Sequence, residues 1–200
     1  MGKSTEKEFL QRVGEHIMTV LRDEGGYRHV RFGRPGTRNE QFDLITWPGH
    51  LCYTGDMGTY VFSRIRDMFE FFRTDRLQPR NGQTLFINQG YWAEKVLAYD
   101  KTGKIQEYDR DLAEQRLREA LKEMRRDSTS EERAEIYDEV SGSLDDGEVA
   151  FKTALMDHFP DSWEWDLTEY TFSFTWCCYA IAWGIQQYDD ALVGKENVPV

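Results

Sequence analysis

Arg28, His29, Arg31, Arg34 and Arg38 crowd one short stretch, with no acid between Glu24 and Glu40. Guanidinium forks match phosphate and carboxylate geometry, so such a stretch suits an anion. Just downstream, Gly55-Asp56-Met57-Gly58-Thr59 leads into a segment that reads as a helix. A helix N-terminus presents unpaired backbone N–H groups that favour negative charge. Arg28, Arg31, Arg34, Arg38, Gly55, Asp56, Gly58 and Thr59 are therefore a candidate pocket for a nucleotide or another small anionic ligand. The loop lacks the lysine and the spacing of a P-loop. A plain turn and helix cap is the competing reading.

His50 and Cys52 are two apart on an expected strand and share a face, with Asp56 nearby. These residue types make metal sites and Cys–His nucleophile pairs. No second paired motif accompanies them, and the four histidines are scattered, so neither a metal nor a cofactor is expected. Asp145-Asp146 and Asp189-Asp190 fall at expected turns, whereas a general acid needs a carboxyl that burial has raised in pKa. The motifs of nucleophile elbows, zinc proteases, dinucleotide folds and kinases are missing. No residue is assigned a catalytic role. An enzyme acting on a nucleotide remains an alternative to a binding protein.

These groups need elements to hold them. Phe9, Val13, His16 or Ile17, Val20 and Leu21 recur at helical spacing, which predicts a helix over 5–24, capped by Ser4 or Thr5 and ended by Gly25-Gly26. Alternating residues predict strands near 27–32, 41–47 and 50–53, an antiparallel meander with a turn at Pro48-Gly49. Val61, Ile65, Met68, Phe69 and Phe72 predict a second helix over 58–73, with Asp56 or Thr59 as its cap. A strand over 84–87 and a short helix over 91–99 follow. Helices from 109, over 131–140 and over 147–158 come next, with Pro160 as a stop. Tyr170–Tyr188 is 19 residues without a charge, and its threonines and glutamines make it a buried helix rather than a membrane span. The expected fold is α+β, a small antiparallel meander packed with helices and a mainly helical acidic C-terminal half. The chain is read as one domain: an α+β core over 1–108, an acidic helical segment over 109–160, and a helix within 161–200 that returns to the core.

The 200 residues carry a net charge of −11. That argues against general nucleic-acid or anionic-membrane binding, which needs a basic surface. The charge is localised. Residues 1–80 hold 13 basic and 11 acidic side chains, while residues 127–170 hold 14 acids against Arg133 and Lys152. A solvated helical face accounts for such a block; so does an acidic surface that meets a basic partner and mimics nucleic acid. The candidate contact residues are Glu131, Glu132, Glu135, Asp138, Glu139, Asp145, Asp146 and Glu164, with Tyr137, Trp163 and Trp165 as neighbouring aromatic anchors. The first 25 residues lack the apolar region of a signal peptide, and three cysteines suit no disulfide framework, so a reducing cytoplasm is expected.

Two stretches, Leu51–Arg73 (LCYTGDMGTYVFSRIRDMFEFFR) and Phe174–Tyr188 (FTWCCYAIAWGIQQY), resemble small accessory proteins of bacteriophages and prophages. The resemblance covers about a fifth of the chain and carries no catalytic residues. It implies an accessory protein acting inside an infected bacterium. Small acidic proteins of that kind include inhibitors of host defence, of the anti-CRISPR and anti-restriction types. The expected partner is a host defence protein or nucleoprotein complex with a basic surface, with no direct nucleic-acid contact and no membrane.

Overall fold

The computed structural model describes residues 4–73, 84–101 and 103–196, with side chains through residue 193. The fold is α+β. The chain divides into two compact units, Met1–Ile105 with Tyr170–Val200 (unit 1) and Gln106–Glu169 (unit 2). The divisions thus fall at 105/106 and 169/170, against 108/109 and 160/161 in the sequence reading.

Unit 1 is built on six antiparallel strands in sequential order: β1 Ile17–Glu24, β2 Tyr27–Gly33, β3 Phe42–Trp47, β4 His50–Gly55, β5 Gly58–Ser63 and β6 Val96–Tyr99. Strand period 2 puts Val30, Phe32, Phe42, Leu44, Leu51, Tyr53, Tyr60 and Phe62 on one face, and all are fully buried. Helix α7 (Phe172–Glu196) covers them with Phe174, Trp176, Cys177, Cys178, Ile181 and Ile185. Its other side meets α1 (Glu6–Val13), α2 (Met68–Arg73) and α3 (Gln89–Ala93). From Phe174 to Tyr188 every residue of the helix is buried or half-buried, which leaves no position for a charge and explains the uncharged run. No helix among the described residues is long and apolar enough to cross a membrane. The adjacent thiols Cys177 and Cys178 are small buried hydrophobes, and burial pushes both up in pKa.

The meander over 27–53 stands where the alternation placed it, and four other segments differ. The expected helix over 5–24 stops at Val13, and residues 17–24 form edge strand β1. Gly25-Gly26 turns the β1–β2 hairpin instead of ending a helix, since Glu24 pairs with Tyr27. The expected helix over 58–73 is strand β5 followed by the short α2, and Asp67 caps it, accepting the Phe69 N–H at 3.0 Å. The expected helix over 91–99 is α3 followed by β6. Residues 84–87 form no strand; the Thr84 N–H and hydroxyl both donate to Glu6 at 2.7 Å.

Unit 2 holds a two-stranded pair, β7 (Gln106–Tyr108) with β8 (Thr168–Tyr170), and helices α4 (Arg110–Glu123), α5 (Ser130–Ser141) and α6 (Glu148–Leu155). Ala113, Leu117, Leu121, Val140, Leu144, Phe151, Leu155 and Leu167 form its core. Helix α6 ends at Leu155, and Pro160 does not stop it: it opens a short 3-10 turn over Pro160–Glu164 instead. A proline at the first position of a turn needs no N–H there.

Candidate functional site

The arginines of the proposed anion pocket are mostly engaged, and they do not converge. Arg28 lies on the core face of β2 and clamps Asp67 with two hydrogen bonds of 2.9 and 2.8 Å. Its guanidinium sits 4.9 Å above the Phe69 ring. Arg31 lies on the opposite face and holds Asp43 with two bonds of 2.9 Å, while His29 approaches the same carboxylate at 2.6 Å. Burial alone would raise the Asp43 carboxyl, but Arg31 and His29 hold it below the ordinary range. Arg34 pairs with Glu15 at 3.2 Å. Arg38 is exposed and makes no ion pair among the described residues. Each fork that a phosphate would need is thus filled by a carboxylate of the same chain, Arg38 excepted.

The glycine loop is likewise a correction. Gly55 pairs with Gly58, so Asp56-Met57 is the two-residue turn of the β4–β5 hairpin and not a helix start. Gly58 has φ +97°, a conformation that L side chains rarely adopt. Asp56 accepts the Glu40 N–H at 2.6 Å, and the Thr59 hydroxyl meets that of Thr54 at 2.8 Å. His50 and Cys52 share a face without pairing. His50 stacks on Trp47 with centroids 4.9 Å apart, and Cys52 Sγ leans on the Tyr53 carbonyl at 3.7 Å. Burial and nearby Asp43 push the Cys52 thiol up, away from a reactive thiolate. No group of three or more potential metal ligands occurs among the described residues.

The acidic set separates by element. Unit 2 contains 20 acids and 8 basic residues, while unit 1 contains 16 and 17, so the net charge of the chain resides in unit 2. Helix α5 brings Glu131, Glu132, Glu135, Asp138 and Glu139 together, all exposed, while Val140 is turned into the core. Glu132 closes a capping box with Thr129, which holds its carboxyl below the usual range. Glu139 meets His158 at 3.2 Å. Glu131, Glu135 and Asp138 have no cationic partner among the described residues. Asp145 and Asp146 lie in a 3-10 turn before α6, with Asp145 bound to Arg110 at 3.1 Å. Glu164 stands apart. It lines a depression with Arg116, Glu119, Glu123 and Asp166, whereas the groove beside α5 is lined by Arg118, Leu121, Lys122 and Arg125. At 100° per residue these are opposite sides of α4.

Sequence reasoning missed the hub of unit 2. Glu114 accepts from Arg110 at 2.7 Å, from the Tyr137 hydroxyl at 2.7 Å, and from Arg118. Tyr137 is thereby engaged inside the unit rather than offered to a partner. The hydrogen bonds from Arg118, Tyr137 and Arg110 draw the Glu114 carboxyl down to about 2, from an ordinary 4.5. The spacing of Arg110, Glu114 and Arg118 on one helix face was the available signal. A carboxyl depressed in the folded state stabilises above its unfolded pKa, and that contribution fades as pH falls from about 4.5 towards 2. The melting temperature is therefore expected to drop across this window, and Glu114→Gln should lose that part of the acid dependence. Circular dichroism melts from pH 7 to pH 2 test this; identical acid limbs in both proteins would refute the assignment.

No protein-family model matches the chain, and comparison with curated proteins and with solved structures returned no match.

Proposed function

We propose that the chain is a non-enzymatic binding protein of the phage accessory type, which blocks a bacterial defence protein or nucleoprotein complex through the acidic side of unit 2. The observation that carries this reading is the row Glu131, Glu135 and Asp138 on α5, exposed and without a cation. Their spacing of four and three residues stacks them along one side of a helix, so their potentials add outward. Paired surface carboxylates would offer a partner little; unpaired ones steer a basic surface and give salt-sensitive association. A row of this kind stands where phosphates would lie in a nucleic-acid groove. The same field repels nucleic acid and anionic membranes, so the partner is a basic protein surface. The phage and anti-defence setting rests on the resemblance of Leu51–Arg73 and Phe174–Tyr188, stretches that pack together in unit 1 as β4, β5, α2 and α7.

The test is expression in bacteria carrying a CRISPR–Cas or restriction system, scored by phage plating, with capture of the defence complex in parallel. The wild type is expected to restore plating. The triple reversal Glu131→Lys, Glu135→Lys, Asp138→Lys is expected to abolish it and to weaken capture about a hundredfold at low salt. Unchanged inhibition by a folded triple variant would sink the acidic-face reading.

A further inference from the structure

Unit 2 exposes three large apolar side chains: Val149 at 81%, Met156 at 54% and Trp163 at 62% of their full accessible area. Two of them share a helix face, and the backbone of the third lies beside it. Val149 and Met156 are seven residues apart, which on a helix is two turns along a single face. Lys152 lies between them on that face, paired with Glu148 at 2.9 Å, and its ammonium reaches the Trp163 carbonyl at 3.4 Å, which sets the Trp163 backbone beside it. The inner side of α6 is already used, since Phe151 and Leu155 are fully buried in the core of unit 2. The patch is therefore surplus to folding. Exposed apolar groups cost solubility, and neighbouring ones that include a tryptophan mark an interaction surface.

The rim names the occupant. Asp146 precedes α6, Asp157 follows it, and Asp161 and Glu164 flank Trp163; all four are exposed and have no ion pair among the described residues. Beyond the C-terminal end of α6, His158 meets Glu139 of α5. Two apolar side chains on one helix face, with unpaired carboxylates before and after the helix and next to Trp163 in sequence, are complementary to a helix with an apolar stripe at i, i+3, i+4 and i+7 and Lys or Arg on both flanks. An anionic bilayer or an acidic peptide would be repelled by the same rim.

We infer that Val149, Met156 and Trp163 are the apolar centre of unit 2's docking surface, and that it receives a cationic amphipathic helix of a partner protein. The inference rests on the acidic-face reading above and specifies the partner's chemistry.

The experiment is fluorescence anisotropy of labelled 18-residue peptides titrated with the full chain. One peptide carries the amphipathic Leu/Lys pattern. The second has the same composition scrambled to remove the stripe. The amphipathic peptide is expected to bind, with the scrambled one weaker by about tenfold or more. Trp163→Ala with Met156→Ala should cost the amphipathic peptide a similar factor while leaving the salt dependence unchanged. Both side chains are solvent-exposed, so the melting temperature of the variant should stay near that of the wild type, which the same samples confirm. Equal binding of the two peptides would overturn the apolar centre and leave the acidic face standing. Failure of both peptides to bind at low salt would overturn both readings. Concentration-dependent dimerisation lost in the double variant would make a second copy the occupant, and blue-shifted tryptophan emission with zwitterionic vesicles would make it a lipid surface. Either result overturns the inference.

Discussion

Replacing Gly184 by valine is expected to destabilise unit 1 by about 3 kcal/mol. A Cβ at this position would lie 2.8 Å from Leu44 Cδ1 and 3.0 Å from Phe32 Cε2. Neither neighbour has room to retreat. Both are fully buried, and the Phe32 ring is held between Phe42 at 5.0 Å and Trp183 at 5.2 Å. Glycine here lets α7 press directly onto β2 and β3, and a larger residue must lift the helix or distort the sheet. Alanine is the instructive control, because it regains about 1 kcal/mol of helix propensity that offsets part of the clash. The expected order is wild type, then alanine, then valine far below. Urea denaturation followed by near-ultraviolet dichroism reports on the ordered aromatic residues, the buried Trp92 and Trp176 of unit 1 among them. A valine variant as stable as the wild type would refute the close approach.

The second large effect concerns Asp67. Arg28 is only 11% exposed at its side chain and depends on Asp67 for charge compensation. The Asp67 carboxyl is held below its ordinary range: burial raises it, but the guanidinium and the α2 backbone amides outweigh that. Asp67→Ala removes the countercharge and the cap of α2 together, and is expected to cost about 3–4 kcal/mol. Asp67→Asn keeps an acceptor for the Phe69 N–H and should cost less. The pair replacement Arg28→Met with Asp67→Leu should recover much of the loss, because no charge is then left buried. A double-mutant cycle by urea denaturation measures the coupling. An Asp67→Ala cost under about 1 kcal/mol would show that water already serves Arg28.

The legible parts of the sequence were those whose pattern had a single interpretation. Val30/Phe32 and Phe42/Leu44 alternate on strands with one buried face, and the uncharged run at 170–188 had to be enclosed. The misread parts had two periods at once. Tyr60 and Phe62 alternate inward on β5, yet Val61, Ile65, Met68 and Phe72 also satisfy a helical repeat across the junction with α2. Residues 17–24 form an edge strand whose side chains are mostly exposed, so no alternation marks it. The β-branched Ile17, Thr19 and Val20 were the weaker, correct signal. The arginine stretch was legible as chemistry but not as a site. Its partners Asp43 and Asp67 lie 12 and 39 residues away, and only the sheet register and the position of α2 bring them to Arg31 and Arg28. The charge block, by contrast, maps onto a structural unit because its residues are contiguous.

The order of the elements along the chain bears on how the molecule is made. Strands β1 to β6 all precede unit 2, but the helix that covers their apolar face follows it. At ordinary rates of synthesis, about 5–20 residues per second, unit 2 separates the finished sheet from its cover by several seconds. During that interval Val30, Phe32 and Leu44 lack the cover of α7, while unit 2, contiguous in sequence, is free to fold. The core of unit 1 therefore stays incomplete until α7 arrives.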